Sequence, residues 1–195
     1  FVGKPLSVPT TMCIVSEKPL GADAVTFTAG DHTFRTCCSK CQAKVEADPM
    51  QFAMKADQAS VALQLADYPL TTCPISGKPI GEMGEPVDLL LDGTLVRLCC
   101  AHCVAEAKQN ATTVVEKVRA AALAAQRTTY PLTTCAVSGK PLGEDAVSTV
   151  VGTTLVRTCC EKCAEKLSTE GAAIVQRLHT MRDDQKAAAK AGASL

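Results

Sequence analysis

The clearest pattern of apolar and polar positions lies between residues 68 and 127. Val87 to Leu91 and Thr94 to Leu98 are strand-like runs. They are joined by Asp92-Gly93, a pair that favours the tight type I′ turn, so the pattern predicts a β-hairpin. A short helix is expected from about Cys100 to Gln109. Asn110 should break it and cap a second helix running from about Thr112 to Arg127. In that second helix Val114, Val115, Val118, Ala122 and Ala125 recur at helical spacing, which predicts one apolar stripe packed on the hairpin. Ahead of the hairpin, Tyr68-Pro69-Leu70-Thr71-Thr72-Cys73-Pro74-Ile75-Ser76-Gly77-Lys78-Pro79 is rich in residues that interrupt regular structure and reads as a turn.

The same order recurs on either side. Downstream come Tyr130-Pro131-Leu132-Thr133-Thr134-Cys135, a hairpin turning at Gly152-Thr153, a short helix from Cys160 and a second helix capped near Thr169. Ile174, Val175, Leu178 and Met181 form its stripe, and the Ala-rich tail favours continuation through Asp183 to Lys190. Upstream, the hairpin turns at Ala29-Gly30-Asp31-His32, and Asp48-Pro49 begins a second helix with proline where the first turn tolerates it. The chain is therefore expected to be three tandem small α+β modules, over residues 1–67, 68–129 and 130–195, each ordered turn, hairpin, helix, helix. The linkers at Asp67 and near Thr128-Thr129 are short, which points to a stacked array.

Composition explains why such modules need a staple. Aromatic residues are 3% of the 195, and tryptophan is absent. A module of this size buries only roughly 60% of its chain surface, too little for a strong core. The formal net charge is zero with a pI near 6.9, so the chain carries no electrostatic footprint for nucleic acid or anionic lipid. No apolar run is long enough for a membrane span. The chain starts at Phe1 rather than methionine, which fits either a removed leader, and with it export, or a trimmed N-terminus.

Sulfur supplies the staple. Twelve cysteines form one four-thiol pattern three times: Cys13, Cys37, Cys38 and Cys41; Cys73, Cys99, Cys100 and Cys103; Cys135, Cys159, Cys160 and Cys163. A lone cysteine on the turn followed by C-C-x-x-C at the hairpin-to-helix junction brings four sulfurs together. Four thiolates about 2.3 Å from Zn²⁺ make a closed structural site. That cage carries a net charge of about −2, and basic residues recur beside it: Arg35, Arg97 and Arg157 before the cysteine pair, and Lys18, Lys78 and Lys140 in the opening turn.

Cys73-Pro74-Ile75-Ser76-Gly77-Lys78 resembles the zinc knuckle of treble-clef proteins, C-P-x-C-G-K, with serine in the second cysteine's place. Ser16 and Ser138 repeat that change, and the added cysteine at 99 and its equivalents restores the count. The module as a whole resembles the YHS and TRASH group of treble-clef-like domains. Cys38-Ser39-Lys40-Cys41 with Asp48-Pro49 carries the likeness best, and Cys100-Ala101-His102-Cys103 and Cys160-Glu161-Lys162-Cys163 fit its spacing. The resemblance implies treble-clef-like modules that bind a heavy metal, with zinc or copper as leading ions, in sensing, trafficking or structural roles.

Three functional readings remain open on these residues. One is a non-enzymatic scaffold or interaction subunit with protein partners and one zinc ion in each Cys₄ set. Another is a store or carrier of Cu(I), which thiolates also favour. The third is an exported repeat stapled by disulfides, in which each set forms two crossing bridges. A thiol enzyme is disfavoured because no histidine recurs with the cysteines. His102 lies between ligands, but Lys40 and Lys162 hold its equivalents, so a surface role is expected. His32 and His179 are expected to be solvated or packed. Glu106, Lys108, Glu116 and Lys117 read as a solvated helix face.

Overall fold

In the computed structural model, which describes residues 12–21, 23–29 and 32–192, the chain forms three two-stranded antiparallel hairpins, each followed by two helices. The first set is β1 (Val25–Ala29), β2 (His32–Thr36), α1 (Ser39–Ala47) and α2 (Pro49–Leu65). The second is β3 (Val87–Leu91), β4 (Thr94–Leu98), α3 (Cys103–Gln109) and α4 (Ala111–Gln126). The third is β5 (Val147–Val151), β6 (Thr154–Thr158), α5 (Glu161–Glu165) and α6 (Leu167–Gly192).

The second hairpin follows the apolar pattern residue for residue. Val87 pairs with Leu98 and Leu91 with Thr94, closing on Asp92 at φ 46° and Gly93 at φ 69°. Two successive positive φ values are the requirement of a type I′ turn, and Asp-Gly meets it at low cost. The third hairpin closes at Gly152, φ 61°, where a side chain would strike the Gln64 carboxamide at 2.4 Å. The turn predicted at Gly30-Asp31 lies outside the described residues.

Helix boundaries depart from expectation where a local polar group chose another partner. The helix expected from Cys100 begins at Cys103, because Ala101 and His102 form a turn held by the Cys103 N–H on the Cys100 carbonyl, 3.3 Å. Asn110 does not cap α4 with its side chain. Its backbone N–H and its side-chain amide both donate to the Glu106 carbonyl, so it closes α3 instead. Asp48 does act as an N-cap: its Oδ1 accepts from the Gln51 N–H at 3.2 Å, with Pro49 first in the helix. Helix α6 starts at Leu167, before the cap expected near Thr169, whose side chain lies outside the described residues. It continues through the tail as the alanine content predicts.

Each set has its own apolar core. In the second, Val96 and Leu98 of β4 meet Val114, Val115 and Val118 of α4, and Cys73, Cys99 and Cys103 belong to the same cluster. The sulfurs are thus part of the hydrophobic core. The first set gathers Ile14, Phe34, Val45 and Ala56; the third gathers Ala136, Val156, Ile174, Val175 and Leu178. Ala125, expected in the α4 stripe, is exposed, and Met181 at the end of the α6 stripe is 37% exposed.

The sets stack by one repeated device. A hairpin edge presents unpaired backbone groups that need partners. The buried Gln64 side chain, at the end of α2, donates to the Gly93 carbonyl at 3.0 Å and accepts from the Leu95 N–H at 2.8 Å. Its carboxamide pairs with the β4 edge much as another peptide unit would. Gln126, at the end of α4, treats β6 identically, donating to the Thr153 carbonyl at 2.7 Å and accepting from the Leu155 N–H at 2.9 Å. The next outward N–H groups, of Arg97 and Arg157, donate to the Tyr68 and Tyr130 hydroxyls at 3.0 and 2.9 Å. Asp67, whose side chain is only 6% exposed, ties this stack to α6 by accepting from Thr154 at 2.6 Å and pairing with His179 at 2.7 Å and Arg182 at 2.8 Å.

Candidate metal centres

Each thiol set begins on a tight knuckle. The Cys73 N–H donates to the Lys78 carbonyl at 2.8 Å and the Gly77 N–H returns to the Cys73 carbonyl at 2.9 Å. The same pairs close Cys135 with Lys140 and Gly139, and Cys13 with Lys18 and Glu17. This closure needs a left-handed residue, supplied by Gly77 at φ 72° and Gly139 at φ 73°. Repeat one places Glu17 there at φ 56°. The left-handed region costs a residue with a side chain about 1 kcal/mol relative to glycine.

The loop folds the first cysteine against the hairpin end. Three sulfurs in each set then lie within 4.8 Å of one another: Cys13, Cys37 and Cys41; Cys73, Cys99 and Cys103; Cys135, Cys159 and Cys163. Cys38, Cys100 and Cys160 flank these triads. Cys100 Sγ is 3.8 Å from Cys99 and 3.9 Å from Cys103, and Cys99 to Cys103 is also 3.9 Å. In repeat one the Cys37 Sγ is 3.8 Å from Cys38 and 3.7 Å from Cys41; in repeat three both corresponding distances are 3.8 Å.

These spacings discriminate between chemistries. A disulfide requires about 2.05 Å, and all twelve cysteines are unpaired thiols. A tetrahedron with metal–sulfur bonds of about 2.3 Å has sulfur–sulfur edges of about 3.8 Å. The separations within the C-C-x-x-C segment, 3.7 to 3.9 Å, match that edge in every set, and the turn cysteine lies within 4.8 Å of its two triad partners. The donor set is all sulfur, and the sites are three Cys-rich clusters able to hold a metal ion.

Hydrogen bonds divide the thiols into unlike members. Burial acts to raise the Cys13 thiol, but the Ser16 hydroxyl and the N–H groups of Ser16, Cys37 and Val15 outweigh it and bring it down to about 6. Cys73 and Cys135 are also brought to about 6, against burial, by Ser76 and Ser138 and nearby N–H groups. Burial raises Cys41, Cys103 and Cys163 to about 12, reinforced by their hydrogen bonds to the neighbouring sulfurs. Each cluster therefore pairs a readily formed thiolate with a thiol that holds its proton, and a bound cation would displace that proton.

The knuckle serines have a defined place. Ser76 Oγ lies 3.2 Å from the Cys99 sulfur, and Ser16 and Ser138 lie 3.4 Å from Cys37 and Cys159. The residue standing where a knuckle would carry its second cysteine thus touches the added cysteine directly.

Three of the basic residues expected to balance the cage make other contacts. Arg97 Nε pairs with Asp88 at 2.7 Å, Arg157 lies 6.0 Å from the Tyr130 ring centroid, and Lys78 Nζ meets the Met83 sulfur at 3.7 Å. Backbone N–H groups and the serines surround the sulfurs instead. Lys117, expected on a solvated face, reaches back to the Pro74 carbonyl at 2.9 Å. Arg177 donates to the Ala136 carbonyl, and Lys55 pairs with Glu17 at 2.7 Å. A basic residue of each long helix thus pins its own knuckle. The recurrence of Lys55, Lys117 and Arg177 at the cysteine period was the sequence signal for it.

The histidines stay off the clusters. His102 is exposed, His32 Nε2 meets Asp57 at 3.0 Å, and His179 meets Asp67. Among the described residues no helix is long and apolar enough to cross a membrane. Compared with known proteins, the chain matches no protein-family model, no curated protein and no solved structure.

Proposed function

We propose that the chain is a non-enzymatic metal-binding protein in which each four-cysteine set holds one zinc ion and the three modules form a scaffold for protein partners. The sulfur spacing of 3.7 to 3.9 Å within the C-C-x-x-C segments, repeated in all three sets with the turn cysteine within 4.8 Å, carries this reading. The likeness to YHS and TRASH modules and the treble-clef-like order of knuckle, hairpin and helix support it. Structural zinc contributes apparent binding free energies of about 10 to 16 kcal/mol, more than a core of this size usually supplies. Complete removal of metal by a chelator is expected to abolish most of the helical circular dichroism. Helix content that survives metal-free conditions overturns the reading.

A second reading, handling of a soft ion such as Cu(I), is favoured by the exposure of Cys38 and Cys160. It predicts that a Cu(I) chelator withdraws metal while the fold stays intact. Metal that leaves only on unfolding rejects it.

A further inference from the structure

The three sulfur sets share a spacing but not an exposure. In repeat two the triad Cys73, Cys99 and Cys103 is buried, and the flanking Cys100 is half-buried. In repeats one and three the flanking Cys38 and Cys160 are exposed, and Cys37, Cys159 and Cys163 are only partly covered. Each exposed thiol also has a resolving partner. Cys38 and Cys160 stand three positions before Cys41 and Cys163, and in the equivalent pair of repeat two the sulfurs are 3.9 Å apart. By contrast, adjacent cysteines bridge each other only with strain, so the C-x-x-C partner is the accessible one.

We infer that Cys38 and Cys160 are sites of oxidation by hydrogen peroxide, and that their reaction discharges the metal of the first and third clusters while the second keeps its own. The inference rests on the metal-binding reading above. The exposed thiolate attacks one peroxide oxygen; the O–O bond breaks, giving a sulfenic acid and hydroxide, which takes a proton to become water. The sulfur of Cys41 or Cys163 then attacks the sulfenic sulfur, and the displaced hydroxide leaves as a second water. In sum, two thiolates, one peroxide and two solvent protons give a disulfide and two waters. The sulfur pair is oxidised by two electrons, the peroxide is reduced, and the metal ion changes no oxidation state. It leaves because two of its four thiolates are consumed. A reducing thiol regenerates the site by exchange.

The exposure of the flanking cysteine, with the looser cover of its neighbours, sets the difference between clusters. Peroxide must reach the sulfur it oxidises, and among the flanking cysteines those of repeats one and three are exposed whereas Cys100 is half-buried. Sulfur chemistry alone would make the three sets equivalent.

The test uses the full chain loaded with Zn²⁺ and counted by native mass spectrometry before treatment. Three ions bound at the start, followed by peroxide-dependent release of two into a chromophoric chelator at least tenfold faster than the third, is the expected result. Peptide mapping should then place disulfides at Cys38 with Cys41 and Cys160 with Cys163, reversed by dithiothreitol with zinc uptake. The double variant Cys38→Ser and Cys160→Ser should lose the fast phase while native mass spectrometry still finds the second site filled. Release of all three ions at one rate, or of none, overturns the inference and leaves metal binding standing. A chain that never takes up metal sinks the underlying reading instead.

Discussion

The first hairpin and the second have the same five-pair ladder and different surroundings. In β4 the outward Leu95 is fully buried, although it lies outside its own repeat's core, because α2 packs on that side and Gln64 closes the strand edge. Leu155 of β6 is 1% exposed in the same setting beneath α4. Among the described residues no helix stands before β1 and β2, and there the corresponding residue is Thr33, half-buried, with Arg35 exposed two positions on. A hairpin's outward face is therefore written for the neighbour it receives.

The sharpest way to test that comparison is to truncate both residues. Leu95→Ala empties a fully buried position and is expected to cost about 2 to 5 kcal/mol in denaturant unfolding of the metal-loaded chain. Thr33→Ala should cost at most about 0.5 kcal/mol. Equal losses would break the distinction between inner and first hairpins.

Gln64→Ala comes next in size. It removes both bonds to the β4 edge and leaves the Leu95 N–H buried without its partner, for an expected loss of about 1 to 3 kcal/mol. Gln64→Glu should restore little, because a carboxylate accepts from Leu95 but cannot donate to the Gly93 carbonyl. Amide exchange at Leu95 reads the effect directly. Protection unchanged by Gln64→Ala means that the edge is closed by something else.

Asp67 gives the comparison a pH dependence. Burial alone would raise its carboxyl, but hydrogen bonds from His179, Arg182 and Thr154 hold it well below the usual carboxylate range. A group whose folded pKa is depressed stabilises the fold above its unfolded value, about 3.9, and loses that contribution as pH falls through that value toward the folded one. The deficit of Asp67→Asn relative to the parent chain should therefore be largest near neutral pH and narrow below about pH 4. A deficit that stays constant on acidification contradicts the ion-paired arrangement.

The sequence showed the local features well. An apolar run with Asp92-Gly93 at its centre dictates a hairpin by itself, and β3 and β4 fall on the expected residues. The cysteine recurrence likewise foretold three clusters. What could not be read were the choices settled by distant partners. Gln64 looks like an ordinary polar residue at a helix end, because the N–H it satisfies lies 31 positions away. Lys117 looks solvated until the Pro74 carbonyl, 43 positions upstream, comes within reach. Arg97 sits two residues before a cysteine pair in the sequence, yet strand alternation and the opposing Asp88 turn it to another use.

The same limit applies to the fourth sulfur. Spacing alone makes the four thiols of each set equivalent, whereas the fold gathers three and sets Cys38, Cys100 and Cys160 at the flank. Whether that flanking sulfur completes the coordination is the centre of the account. X-ray absorption at the zinc edge of the fully loaded chain addresses it most directly. Four sulfur neighbours per zinc at about 2.3 Å is the predicted result, with no nitrogen or oxygen in the shell. A shell with light-atom ligands, or with fewer than four sulfurs, contradicts it.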